Sequence, residues 1–303
     1  MTHTIDKRPG KGPDRTDDRA PEQRRAVRRP FRLPRANYAA GFLALVWLVI
    51  VVVPLYVLIV STLQSRQSYL ANGPLSIPDE ITFDSYRTVL EGDFPQYLLN
   101  TLLVTVSCAA IAIVLAVTVS YSIVRTRSRL SSRVFQLFLL GLAIPSQAVI
   151  IPVYLIITEL QLYDTLLAII LPTAAFSLPV GVLILVGAMR DIDEELYESM
   201  ALDGASQLRV LLQLVVPISR AGISTVGVFS ALNAWNGFLF PLILTQSPET
   251  KVLTLGLYDF VGEFRTDVPS LLSAVVLSIV PIFTAYLFAR RQLINGLMGV
   301  GGR

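Results

Sequence analysis

Asn233, Trp235, Asn236 and Phe238 fall close together in a run that holds no charged side chain. Amide groups can hydrogen-bond hydroxyls, and a tryptophan ring can stack on the apolar face of a cyclic polyol. Asn100, Thr101 and Gln147 are further small polar residues in apolar runs. All of these could bind a neutral polyhydroxylated solute. They could equally join helices to one another, or pack aromatic rings against a second subunit, and both readings stay open. Covalent chemistry is poorly provided for. Cys108 and His3 are the only cysteine and the only histidine, so a catalytic triad, a zinc site, haem ligation and an intrachain disulfide cannot be assembled. No GxxxxGK(S/T) loop occurs to cradle a nucleotide phosphate. No catalytic residue, metal or cofactor is expected.

The elements that would position these residues are membrane spans. The chain has 303 residues, of which 53% are hydrophobic and 16% charged, against about 25% charged in soluble domains. Six charge-free runs cover 36–65, 94–124, 134–158, 165–189, 221–248 and 268–289. Each can supply the roughly 20 apolar residues that cross about 30 Å of hydrocarbon. Of the 25 Lys and Arg residues, all but Arg66, Arg87, Lys251 and Arg265 fall on the side of the N-terminus. By the positive-inside tendency both termini are cytoplasmic. The net charge of +3 then belongs beside anionic lipid rather than nucleic acid. Residues 1–35 read as a disordered basic tail, and the first apolar run begins too late and is too long for a cleavable signal peptide. Residues 36–303 read as one polytopic all-α domain.

The absence of ionisable residues within the runs argues against a proton- or sodium-coupled carrier and against a cation channel. Prolines at 54, 145, 152, 172, 179, 241 and 281 lie deep in the spans and predict kinks, either around a pathway that opens or simply to fit the bundle. Residues 81–91 predict a short amphipathic helix capped by Thr82 or Asp84.

Between the fourth and fifth runs, residues 190–220 carry two helical patterns. Asp191 or Asp193 can cap a helix with Glu194 and Glu195 in its first turn. Leu196 and Met200, like Tyr197 and Ala201, fall four apart on one face. Gly204 suits the left-handed position after the helix, and Ser206 can cap a second helix over 207–216 before Pro217 introduces a break. The expected product is a stiff helix-turn-helix with apolar residues exposed at its elbow, a feature that marks a partner surface. The other outcome for such a segment is an amphipathic connector lying along the lipid.

The spacing Glu198-Ser199-Met200, three residues to Gly204, then nine to Leu214-Val215-Val216-Pro217, resembles the EAA-x3-G-x9-I-x-L-P signature of ATP-binding-cassette (ABC) importer permeases. Glu198, Gly204 and Pro217 match it; Ser199, Met200, Leu214 and Val216 are substitutions. Asn100-Thr101, Ala143-Ile144-Pro145, Ile151-Pro152-Val153-Tyr154 and Leu171-Pro172 to Leu178-Pro179 are similar to segments of maltose-type carbohydrate permeases. The stretch from Asn233 to Pro241 resembles their Trp-Asn-x-Phe-x-x-Pro element, with Gly237 in place of an acidic residue. The end of the chain around Gly296-Leu297 is similar to the tail of the smaller, MalG-like subunits. The resemblance runs from about residue 38 to the end.

It implies a type I ABC importer permease fold with six transmembrane helices in the cell membrane, and import of sugars or oligosaccharides. Implied partners are a second permease in a heterodimer, two ATPase subunits that carry the hydrolysis, and an extracytoplasmic solute-binding protein. The resemblance makes Glu198, Met200, Ala201, Leu202, Asp203 and Gly204 the ATPase-coupling elbow, and Asn233, Trp235, Asn236 and Phe238 the substrate pathway. The alternatives are an ABC permease for another small solute, such as a polyamine or amino acid, and a secondary transporter.

Overall fold

The computed structural model describes residues 38–261 and 266–300, with side chains followed to Leu287 apart from Tyr286. The basic tail expected over 1–35 lies outside the described residues. Two units are distinguished, up to Val49 and from Ile50 onward. The described residues are helical apart from connections and a single β-bridge between Val261 and Thr266, as expected of an all-α chain.

Helix α1 (Tyr38–Thr62) is apolar on every side; its side chains are exposed as far as Tyr56, and only Ser61 and Thr62 are buried. A helix without a polar face suits a lipid environment. Two short helices follow. Ser65 caps α2 (Arg66–Asn72) by accepting from the Ser68 N–H. Helix α3 (Asp84–Glu91) appears where the amphipathic pattern places it, but neither expected residue is its cap. Phe83 holds that position without a side-chain bond, and Thr82 accepts the Asp84 N–H at 3.2 Å.

The centre is built from α4 (Phe94–Thr126), α7 (Leu166–Arg190) and α11 (Arg220–Trp235). Small residues let these three approach closely. A Cβ on Gly181 would come within 3.1 Å of both Ala116 Cβ and Val226 Cγ1. Gly181→Val is therefore expected to destabilise the bundle by ~1–3 kcal/mol. Thermal denaturation in detergent would read this as a lowered midpoint. Gly187→Ala on the same helix, with nothing within 4 Å of the added carbon, should leave it unmoved.

Among the described residues four helices are each long and apolar enough to span a membrane, and there are up to six spans if two bent pairs, Arg129–Gly141 with Ser146–Glu159 and Gln207–Ile218 with Arg220–Trp235, each count as one. The third run is therefore not one straight helix. Helix α5 (Arg129–Gly141) stops, a 3-10 turn (Ser146–Val149) intervenes, and α6 (Ile150–Glu159) leaves at 98° to it. Pro145 at the break has no N–H to continue the helical ladder. The fifth run is also divided. Helix α11 ends at Trp235, Asn236–Phe238 turn, and α12 (Leu239–Leu244) resumes. At 16 residues α11 is ~24 Å long, short of the hydrocarbon thickness. Pro54, Pro172, Pro179 and Pro281 instead lie inside helices that continue through them. The connection after α12 carries α13 (Leu253–Gly256), and α14 (Val268–Val300) closes the described chain.

Candidate functional site

Helix α8 (Glu194–Leu202) opens the polar segment, with Glu194 and Glu195 in its first turn. Asp193 occupies the cap position, yet its side chain makes no capping bond; the cap is electrostatic only. At the other end the backbone forms a Schellman motif. Ala205 N–H donates to Met200 C=O at 3.0 Å and Gly204 N–H to Ala201 C=O at 3.1 Å. Gly204 holds φ at +69°, which would cost a Cβ-bearing residue about 1–2 kcal/mol. Ser206 then caps the next helix by accepting the Arg209 N–H at 3.4 Å.

That helix does not break at Pro217. It runs as α9 (Gln207–Val210), a π turn (Leu211–Val215) and α10 (Val216–Ile218). The widened turn passes the Val216 N–H to the Leu211 carbonyl, so the missing N–H of Pro217 falls where the ladder has already shifted register. The corner comes later, at Ser219, where the axis turns by 80° into α11.

The elbow is bolted to the bundle. Glu194 pairs with Arg125 at 2.8 Å and Arg127 at 2.7 Å at the end of α4. The Arg125 guanidinium also lies 4.3 Å over the Tyr197 ring. The Tyr121 hydroxyl donates to Gln207 Oε1 at 2.7 Å. Beneath these contacts Tyr197, Ile192, Val210 and Val215 share one buried apolar cluster with Ala116 of α4, Val182, Leu185, Val186 and Met189 of α7 and Val226 of α11. Its outward side is bare, with Leu202 89% and Leu208 63% exposed. Glu198, Ala201, Asp203 and Gly204 are exposed as well, and Met200 half-buried. The six residues grouped by the resemblance thus occupy one turn and the helix before it.

The hydrogen bond from Arg125 holds the Glu194 carboxyl below its ordinary range, and Arg127 adds to this. A depressed folded-state value makes the pairing favourable above the unfolded carboxylate range and lost as pH falls through the folded value. Amide-exchange protection of α8 should therefore hold at neutral pH and decline only as pH falls below the ordinary carboxylate range. In Glu194→Gln it should be lower at neutral pH and lose that acid-dependent step.

A second feature lies where the breaks in the third and fifth runs meet. A cleft of about 720 Å³ is lined from the α5–α6 break by Pro145 and Gln147, and from the α11–α12 break by Asn236 and Phe238. Asn233 lines it from α11, and its amide donates to the Ser177 hydroxyl at 3.3 Å. Phe176 and Phe240 pair at 5.5 Å beside it. No lining residue carries a charge. Broken backbone at membrane depth is tolerated where it lines a cavity, so the coincidence of both breaks in one place identifies the cavity.

Of the residues selected from sequence, Asn233, Asn236 and Phe238 come together here. Trp235 does not; it is buried on another side of α11 with Val89, Phe94, Tyr97 and Leu253. Asn100 and Thr101 are also elsewhere and fully engaged. Asn100 donates to the carbonyls of Glu249 and Lys251 at 2.7 and 2.8 Å, and Thr101 accepts the Leu253 N–H at 2.8 Å. They join elements by fastening the loop after α12 to α4. The cleft residues Thr173, Phe176 and Phe229 went unselected, because aromatic and threonine positions in an apolar run carry no signal of which way they face.

Residues 109–293, more than half of the chain, match the family described as the binding-protein-dependent transport system inner membrane component. The chain belongs to this family. The chain is 33% identical over 257 residues to the ORF2 protein of Caldicellulosiruptor sp. (strain Rt8B.4), covering 85% of this chain and 93% of that one. It is 29% identical to the glucose import system permease protein GlcU of Saccharolobus solfataricus, covering 87% and 93%. It is 28% identical to the diacetylchitobiose uptake system permease protein NgcG of Streptomyces coelicolor, covering 83% and 84%. Its fold matches the crystal structure of a bacterial ABC transporter involved in the import of the acidic polysaccharide alginate, with a TM-score of 0.73 over 87% of this chain and 99% of that one at 18% identity. The chain is thus a membrane-embedded transport subunit with the importer permease fold expected from its motifs.

Proposed function

We propose that this chain is one of two permease subunits of an ATP-driven importer of neutral sugars or oligosaccharides. A solute-binding protein delivers the sugar on the side away from the elbow, and both termini are cytoplasmic. Two ATPase subunits supply the hydrolysis, one of them docking on Glu198, Met200, Ala201, Leu202, Asp203 and Gly204. Asn233, Asn236 and Phe238 line this subunit's share of the pathway, while Trp235 anchors α11 from behind. The observation that carries the reading is the shared apolar cluster of elbow, α4, α7 and α11. A pull on the elbow cannot be absorbed locally, because densely packed side chains transmit displacement. Relatives named for glucose and diacetylchitobiose uptake support a sugar. The uncharged lining, with amides and aromatic rings, supports a neutral solute over a polyamine, whose cations would need carboxylates.

The test is uptake of a labelled neutral disaccharide by the complex reconstituted in liposomes. Uptake should require ATP and the binding protein. Asn233→Leu and Asn236→Leu should each slow it by roughly three- to tenfold, the worth of one hydrogen bond, with ATPase assembly unchanged. Solute movement by the lone chain without nucleotide would overturn the proposal.

A further inference from the structure

Asp164 lies in the short connection between α6 and α7 with φ +60°, a left-handed position that aspartate tolerates better than most residues. Its carboxylate accepts from the backbone N–H groups of Gln246 and Ser247 at 2.8 and 3.0 Å, from the Ser247 hydroxyl, and from the Thr250 hydroxyl at 2.8 Å. Its own N–H donates to the carbonyl of Leu244 at 2.9 Å. Leu244 ends α12 and the other partners follow it. One acidic side chain thus gathers the whole exit of the fifth span onto the exit of the third. The Gln246 N–H, with the Ser247 and Thr250 donors, holds the carboxyl well below the usual carboxylate range, so it stays a charged acceptor wherever the protein works.

Packing repeats the connection. Ile157 of α6, Ala168 of α7, and Phe240 and Leu244 of α12 form a buried cluster of their own. Along α7 that cluster lies at the start of the helix, and the cluster holding the elbow lies toward its end at Met189. Their nearest buried members on that helix, Ala168 and Val182, are 14 residues or ~21 Å apart. Each broken span therefore has one half in each body: α5 and α11 on the elbow side of the breaks, α6 and α12 on the other.

We propose that Asp164 is a positioning residue for transport, splicing α6 and α12 into one gate piece so that the two breaks flex together when the cleft opens away from the elbow. This rests on reading the cleft as the pathway. A gate piece made of two splinted half-helices keeps its shape while it swings; two separate half-helices would leave the cleft leaky at every intermediate angle.

The experiment uses the full complex with its sister permease and ATPase partners, Cys108→Ala as background, and pairs of spin labels. Leu155 on α6 and Ile243 on α12, 59% and 37% exposed, report the splice; Leu137 on α5, 67% exposed, paired with Leu155 reports the break. Between the nucleotide-free and ATP–vanadate states the 155–243 distance should stay single and unchanged while the 137–155 distance shifts. In Asp164→Ala the 155–243 distribution should broaden, and sugar uptake should fall roughly tenfold or more while ATP hydrolysis continues. Asp164→Asn, which keeps an acceptor for both backbone N–H groups, should restore the narrow distance and most of the uptake. A wild-type 155–243 distance that changes between the states would overturn the proposal, as would Asp164→Ala with a narrow distance and full uptake. A complex that takes up no saccharide yet keeps 155–243 fixed while 137–155 shifts would remove the pathway reading and leave the splice standing.

Discussion

In a Gly204→Pro variant, substrate-stimulated ATP hydrolysis by the assembled transporter is expected to fall at least roughly tenfold while the subunit still inserts and is recovered from membranes. Proline fixes φ near −65°, whereas this position needs +69°. The substitution also removes the Gly204 N–H that closes onto Ala201, and displaces the Ala205 N–H from Met200. The turn that sets the angle between α8 and α9 would be lost, and with it the surface carrying Leu202 and Leu208. Gly204→Ala is the graded control. No atom lies within 4 Å of its added carbon, so it bears only the left-handed strain of about 1–2 kcal/mol and should keep most of the coupling. Full coupling in the proline variant would mean that the turn's shape is irrelevant to docking.

Gly256→Ala is expected to have the largest effect on stability of any glycine-to-alanine change among the described residues. A Cβ on Gly256 would overlap the Tyr97 ring, reaching Cε2 at 2.6 Å. The ring has little room to retreat. Tyr97 is 4% exposed, packs with Val89, Phe94, Trp235 and Leu253, and donates its hydroxyl to Asp259 at 2.8 Å. Overpacking of this kind costs about 1–3 kcal/mol or more, and here it also pries α13 from α4, which Asn100 and Thr101 otherwise hold. A lowered melting midpoint in detergent, with earlier proteolysis of the loop at 245–260, is the expected result. Tyr97→Leu should be destabilising alone but should offset part of the Gly256→Ala defect, giving a strongly non-additive double mutant.

What could be read from residues alone tracks the range of the interaction involved. The elbow was legible because capping and left-handed turns are decided within a few residues. Glu194 in a first turn, Gly204 after the helix and Ser206 before the next all appear where local rules place them. Helix α3 was legible for the same reason, to within its cap. The breaks in the third and fifth runs were not. Proline marks the chance of a kink, but Pro172 and Pro179 sit in a continuous α7 while Pro145 stands at a 98° bend. Whether a proline bends a span depends on what neighbours recover its lost bond. Facing was the second limit. Asn233 and Trp235 are two residues apart, so on a helix they point to different sides, and one lines the cleft while the other joins the core. Asp164 gave only the signal of a turn residue before a helix-capping Thr165, and its importance arises from partners some eighty residues away.

The 80° corner at Ser219 makes the elbow and α11 a crank rather than a piston. A thrust along α9 and α10 meets α11 almost broadside, so very little of it survives as sliding along the span and nearly all emerges as tilt about the shared cluster. The end that swings farthest is the one remote from the pivot, and that end bears Asn233 and Asn236. On the proposed coupling, a stroke at the elbow would reach the cleft enlarged about one and a half times, since Val226 lies six residues from Arg220 and nine from Trp235.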